Sequence, residues 1–443
     1  MAEPTLPAHR RKRVGQVRTW HSARYAGLFI FALVSLEFQT LGLFSRTWTI
    51  VAIVLAAAAT VILALSARHR SIPPIRLNGA DFAFLLFSAF AALSVTWSVS
   101  PASSATQAAV GLFMWISFLG ARRVPSLELV RALVIAGVVV AVVSFAVAVF
   151  FPSVGLQPNP SAGVPELRGI LEHQLRLGLL EASVLAIVIV AYLNGQQFEV
   201  LTSSRNKNRV IIVILILGSI APVARLYSVT VVLALAIAVV LWGARRWRSL
   251  FIFVFVAVAS TLAFFWQDLI DRLDTIDGGA TLSGRTNTWE RAIRLAEASP
   301  SEGYGYSTFD SPLFDGIFTT TYRPQHAHNS FIQTYFELEW PGLLLLVTMV
   351  LIMVRVCVKS HQALNRIPYS GLLVLIVIMA SLTGHSLAGT PTTAMWLAFV
   401  LLAAEANEAA ALRRGVSHSR YDRRRSLHSD HGPRVNGASR FTA

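Results

Sequence analysis

A single cysteine, Cys357, stands in 443 residues, so neither a disulfide nor a cysteine-based metal site forms within one chain. Charge is scarce as well, at 14% of residues, and only 23 acidic side chains face 38 Lys and Arg. Asp268, Asp271 and Asp274 are spaced as a helix face rather than as the DxD that holds a metal for a sugar nucleotide. No small-residue cleavage site follows the first apolar run, so no cleavable signal peptide is expected.

What is present is hydrophobicity, 54% of residues, gathered in runs of about 17 to 24, the length that a helix needs to cross hydrocarbon. The pattern predicts an all-α polytopic membrane protein with about twelve spans. They fall near 26–44, 48–66, 81–98, 105–121, 128–151, 178–193, 210–225, 227–243, 249–266, 341–358, 368–388 and 392–410. The run 210 to 243 is too long for one span, and Gly218, Pro222 and Arg225 offer a break, so it reads as a hairpin. Basic loops are retained on the cytoplasmic side. With twelve spans, Arg10 to Arg13, Arg68, Arg70, Arg76, Arg122, Arg123, Arg205, Lys207, Arg209, Arg245, Arg246, Arg248, Lys359, Arg366 and Arg423 to Arg425 all fall on one face. Both termini are then cytoplasmic.

The chain divides into a basic N-tail 1–25, nine spans over 26–266, a large external loop 267–339 with short helices, three spans over 340–411, and a basic tail 412–443. That tail is rich in Arg, Ser, His and Gly, is expected to be disordered, and suits contact with anionic membrane lipids. The net charge of +15 sits where topology requires it, so no nucleic-acid partner is expected.

The external loop is the polar island where chemistry has room. It closes on His326-Ala327-His328-Asn329, where an imidazole titrating near 6.5 meets the membrane boundary and suits proton abstraction. Two histidines two apart also suit a metal, but no third ligand is evident, and neither a metal nor another cofactor is expected. Trp289, Ala292, Ile293 and Ala296 make one apolar helix face behind Ser283-Gly284-Arg285, read as a helix on the membrane surface. Pro300 to Tyr306 reads as a tight turn in which Gly303 and Gly305 flank Tyr304; its GxG is weak ground for a phosphate site. Glu337 and Glu339 suit helix-end electrostatics or an arginine partner. Arg225 interrupts an apolar stretch at a cost of about 2.5–3.5 kcal/mol, so it is snorkelling, paired or functional. Arg168, His173 and Arg176 precede a span, as interfacial anchors would. On one membrane face, Arg168, Arg176, Arg225, Arg285 and His328 would form a cationic site with one base, suited to a diphosphate.

These residues resemble the O-antigen ligase and polymerase superfamily, membrane proteins that join lipid-linked glycans outside the bacterial cytoplasmic membrane. The resemblance is carried by Ser283-Gly284-Arg285, Trp289, Pro300 and Gly303-Tyr304-Gly305, and by His326 to Asn329 with Tyr335, Glu337 and Pro341-Gly342. Arg168-Gly169 with His173 and Gly178 is similar to a stretch of exopolysaccharide polymerases. Three departures stand out: Ala224-Arg225 replaces Ser-Arg, Leu175 replaces an Asn, and Glu339 stands where the family tends to have glycine. The resemblance implies a GT-C-like inverting, metal-independent glycosyltransferase of the cytoplasmic membrane, using an undecaprenyl-diphosphate-linked oligosaccharide as donor and a glycan or lipid acceptor. It also implies work beside other polysaccharide-assembly proteins. His328, Arg225 and Arg285 are the catalytic candidates; Arg168, His173, Arg176, His326, Asn329 and Tyr304 are the substrate-binding ones. Polymerisation of repeat units is favoured over ligation of a finished chain. A carrier would also suit twelve spans, but no matching halves appear.

Overall fold

The computed structural model describes residues 77–122, 124–157, 166–171, 174–202, 204–220, 282–299, 301–318, 326–383, 387 and 393–429. Over these the chain is almost wholly helical. The helices are α1 (Gly79–Leu93), α2 (Pro101–Ala121), α3 (Ser126–Phe150), α4 (Gln174–Leu193), α5 (Arg205–Ile220), α6 (Leu282–Glu297), α7 (Ser330–Leu364), α8 (Tyr369–Thr383) and α9 (Thr393–Ser429). A two-residue antiparallel ribbon, β1 (Leu156–Gln157) with β2 (Glu166–Leu167), closes the turn after α3.

Six helical stretches among the described residues are long and apolar enough to cross a membrane: Gly79–Thr96, Pro101–Ala121, Ser126–Phe150, Arg176–Leu193, Ser330–Leu364 and Met395–Arg414. Tyr369–Leu382 is apolar but shorter. Five of the six match the expected spans to within about four residues, whereas Ser330–Leu364 begins eleven residues before the expected 341–358, inside the stretch read as external loop, and carries a break at Glu339. The protein is a multi-pass membrane protein. The spans expected near 26–44, 48–66, 227–243 and 249–266 lie outside the described residues, as does the end of 210–225 beyond Ile220. One expectation needs correction. The tail from 412 is not disordered throughout: α9 continues to Ser429, since Leu412, Leu427 and six Arg in that stretch are good helix formers and proline is absent between 393 and 429.

Helix contacts are set by small residues and aromatic rings. Gly137 lets α3 lie against Val184 of α4, where a Cβ would come within 2.9 Å of a valine methyl. Phe84, Phe118 and Phe399 pack edge-on and stacked with centroids about 5 Å apart, tying α1, α2 and α9 together.

The bundle has two unlike ends. At one, basic side chains that turn inward are paired. Arg122 meets Asp81, which also closes the Asn78 capping box of α1. Arg366 donates to Glu405 at 2.8 Å and reaches Glu408 at 3.5 Å. Glu405 is fully buried and also accepts from the Tyr369 and Ser370 amides at 2.9 and 3.0 Å and the Ser370 hydroxyl at 2.7 Å. A buried carboxylate is tolerated only when satisfied in this way. At the other end lie the α1–α2 turn, the β ribbon, the 301–318 loop, α6 and the start of α7.

Candidate functional site

The site is built where α7 begins. Asn329 has extended backbone and caps the helix, its Oδ1 accepting from the Phe331 and Ile332 amides at 2.9 and 3.1 Å. Its Nδ2 donates to the Leu382 carbonyl at 3.3 Å, tying the cap to the end of α8. Just before it, His328 holds a left-handed φ of 54°. Its backbone N–H donates to Nδ1 of His326 at 3.3 Å, and the two imidazole rings stand edge to face with centroids 4.1 Å apart. Both rings are half-buried.

Between them Ala327 is fully buried, with its carbonyl accepting from Nε1 of Trp289 at 2.6 Å. That bond gives Trp289 its purpose. It fixes α6 against the histidine segment, and Arg285 lies four residues earlier, one turn back on the same helix. The apolar face of α6 is covered by protein rather than by membrane, contrary to expectation. Ala292 and Ala296 are buried, and Ala292 joins a cluster of Phe309, Phe314, Phe318, Ala327 and Phe336. The reason is the aromatic content of the loop, which supplies an apolar partner that reading the helix alone does not show.

The Gly303-Tyr304-Gly305 turn has a structural task. Pro341 has no N–H to give to the carbonyl of Glu337, and α7 breaks there, with Glu339 at φ 51° and ψ −160°. The Gly305 N–H fills that vacancy, donating to the Glu337 carbonyl at 2.8 Å. The same loop supplies the Glu337 side chain, which accepts from the Ser307 and Phe309 amides at 2.9 and 3.4 Å and from Nε2 of Gln333 at 2.9 Å. On its far side the loop grips the α1–α2 turn. Ser104 Oγ donates to the Tyr306 carbonyl at 2.5 Å, the Tyr306 N–H to Ser94 Oγ at 2.9 Å, and Trp97 Nε1 to the Glu302 carbonyl at 3.1 Å.

The glycines are required by that fit. A Cβ on Gly303 would fall 2.6 Å from the Glu337 carbonyl oxygen, and one on Gly305 would fall 2.5 Å from Cβ of Ser98, both at positive φ. Gly303→Ala and Gly305→Ala are expected to lose about 1–2 kcal/mol to backbone strain and about 1–3 kcal/mol to overpacking. Gly316→Ala, at φ 74° in open space, should lose only the first. Thermal unfolding of the purified proteins in detergent checks this; equal losses at all three positions would contradict it.

The other candidates are placed as follows. Tyr304 donates its hydroxyl to the Leu295 carbonyl at 3.1 Å and packs its ring on Phe314 and Phe336. Burial, and secondarily the Glu339 carboxylate, raises its hydroxyl above the ordinary tyrosine value. Arg168 sits on the ribbon, with Nε donating to the Val154 carbonyl at 2.9 Å. Gly169 beside it has φ 65°, and a Cβ there would meet Ser144 at 2.3 Å, so only glycine lets the loop sit on α3. Arg176 is half-buried in the first turn of α4 and has an interaction partner. Arg225, His173 and the side chain of Arg285 lie outside the described residues. The structure thus gathers His326, His328, Asn329 and the helix that bears Arg285, whereas the described bonds of Arg168 run to the ribbon turn. Glu337 and Gln333 form a buried polar pair; sequence reasoning noted Glu337 only as a helix-end charge and did not single out Gln333. Their i, i+4 spacing and the proline four residues after Glu337 were the available signals. Among the described residues no three His, Cys, Asp or Glu side chains gather as metal ligands.

A multi-pass helical membrane protein with a capped, histidine-bearing helix mouth at one end defines the class. Residues 210–347 match a family model described as O-antigen ligase, which supports the place of this chain in the O-antigen ligase and polymerase superfamily and implies an enzyme of glycosyltransferase type. The matched segment contains Arg225, Arg285, Tyr304 and His326 to Asn329. No curated protein matches the chain.

Proposed function

We propose that the protein is an inverting, metal-independent glycosyltransferase that takes a glycan from an undecaprenyl-diphosphate-linked donor and passes it to an acceptor hydroxyl, polymerising polysaccharide repeat units. The observation that carries this reading is that the family match and the fixed histidine segment fall in the same stretch of chain. His328 takes the proton of the acceptor hydroxyl as its oxygen attacks the anomeric carbon, and the C–O bond to the diphosphate breaks with its electrons leaving on the phosphate. Arg225 and Arg285 neutralise the charge that develops there. A diphosphate so neutralised departs without a general acid, and the guanidinium groups do the electrostatic work that a divalent cation does elsewhere. Ligation to a lipid acceptor would use the same machinery with a different nucleophile; the Arg168-Gly169 loop, packed tightly on α3, favours polymerisation through its likeness to exopolysaccharide polymerases.

Full-length protein in vesicles with lipid-linked repeat units is expected to yield a ladder of lengthening glycans that survives chelators. A single transfer to a different acceptor would mean ligation, and loss on chelation with recovery on adding metal would overturn the metal-free step. The reaction side is read separately. Reporter fusions at Gly279 and Ala443 should show opposite sidedness, with Gly279 outside the cytoplasmic membrane and both termini within; like sidedness would sink that topology.

A further inference from the structure

Two sets of basic side chains stand out at the paired end of the bundle. Arg122 and Arg366 turn inward and have carboxylate partners. Arg355, Lys359 and Arg413 are exposed, and among the described residues none of the three has an acidic partner. They are close together: Arg355 and Lys359 are one turn apart on α7, and Nη2 of Arg413, on α9, donates to the Lys359 carbonyl at 2.6 Å. That bond brings three cations to the junction of two membrane helices. Helical register puts Arg355 and Lys359 at the end of a single stripe on α7, continuing Leu344, Leu351 and Val358, all exposed. A stripe of this kind is solvated by acyl chains, and a cluster of cations at its end lies at headgroup depth.

We propose that this face of α7 and α9 is a binding site for one anionic glycerophospholipid, with the phosphodiester between Arg355, Lys359 and Arg413 and the acyl chains along Leu344, Leu351 and Val358. The apolar stripe distinguishes it from a site for free phosphate. The bond from Arg413 shows that the cations are arranged rather than scattered, and guanidinium groups suit phosphate oxygens. The inference does not depend on the glycosyltransferase reading, because binding is measured without turnover.

The test is native mass spectrometry of the full chain in detergent, titrated with phosphatidylglycerol or with phosphatidylcholine of the same acyl chains. Phosphatidylglycerol should be retained preferentially, and Arg355→Gln, Lys359→Gln and Arg413→Gln should each weaken it about fivefold, the triple variant about 10²-fold, with phosphatidylcholine unchanged. Lys207→Gln with Arg209→Gln removes two exposed cations elsewhere in the chain and should change nothing. If the triple variant does not fold, the single variants carry the comparison. Equal loss in the Lys207 and Arg209 control would show diffuse electrostatics and overturn the site. Unchanged retention in the variants, or displacement of the lipid by inorganic phosphate, would overturn it as well.

Discussion

His328→Ala is expected to lower turnover by about 10²–10⁴-fold while donor binding and the thermal unfolding temperature persist. The side chain is the proposed base, whereas the fold around it is held by other groups: Asn329 caps α7, Trp289 holds the Ala327 carbonyl, and the Leu387 N–H reaches Ser330 Oγ at 3.2 Å. Histidine is commoner than alanine at φ 54°, so the substitution adds a backbone cost, small beside the bonds that hold the segment. Activity should also fall in acid, since an imidazolium has no lone pair with which to accept the proton. His326→Ala is the informative companion. Nδ1 of His326 accepts the His328 N–H, so its loss should loosen the segment and reduce turnover less than loss of the base. A dead His326→Ala beside an active His328→Ala would reverse the two roles.

The second large effect is expected at the arginines. Arg225→Lys and Arg285→Lys should each lower turnover by about 10²–10³-fold, the scale of removing one preorganised donor to developing charge. Lysine keeps the charge but loses the planar fork that meets two phosphate oxygens at once. Steady-state assays on folded, membrane-inserted protein read this, and near-normal turnover in both variants would place phosphate recognition elsewhere. Arg285 is supported by its helix: α6 is pinned to the histidine segment one turn further on, so its backbone and that of His328 belong to one packed unit.

Much of this was legible in the sequence because the signals are local. Span lengths follow from hydrocarbon thickness, and α1 to α4 and α8 fall where the apolar runs predict them, whereas α7 begins earlier and α9 runs on further. Asn329 reads as a substrate-binding residue; its role as the cap of α7 has a local signal, an asparagine before a helical run, that sequence reasoning did not use. The motif residues of the loop were legible as a set, but not their duties. Gly303 and Gly305 read as a tight, local turn, whereas they also close a helix break more than thirty residues further along the chain, a pairing that no local pattern encodes. The face of α6 was assigned to lipid because an amphipathic helix does not say what covers it; the phenylalanines that do so are spread from 309 to 336. Glu337 looked like a helix-end charge, yet it is fully buried and serves as an acceptor for the loop. Glu339, in place of the family's glycine, adopts a backbone conformation that glycine would take freely, and its carboxylate accepts from Ser299 Oγ at 3.1 Å.

The break in α7 also divides the helix mechanically. Beyond Pro341 the rod is a membrane span, and spans tilt as a bilayer thins or thickens around them. The short rod before it is riveted through Gly305 and Tyr306 to the turn between α1 and α2. Tilt is therefore taken up at Glu339 and Trp340 instead of being levered into His328. On the proposed function, the histidine segment is expected to keep its place among the neighbouring helices while the span beneath it follows the lipid.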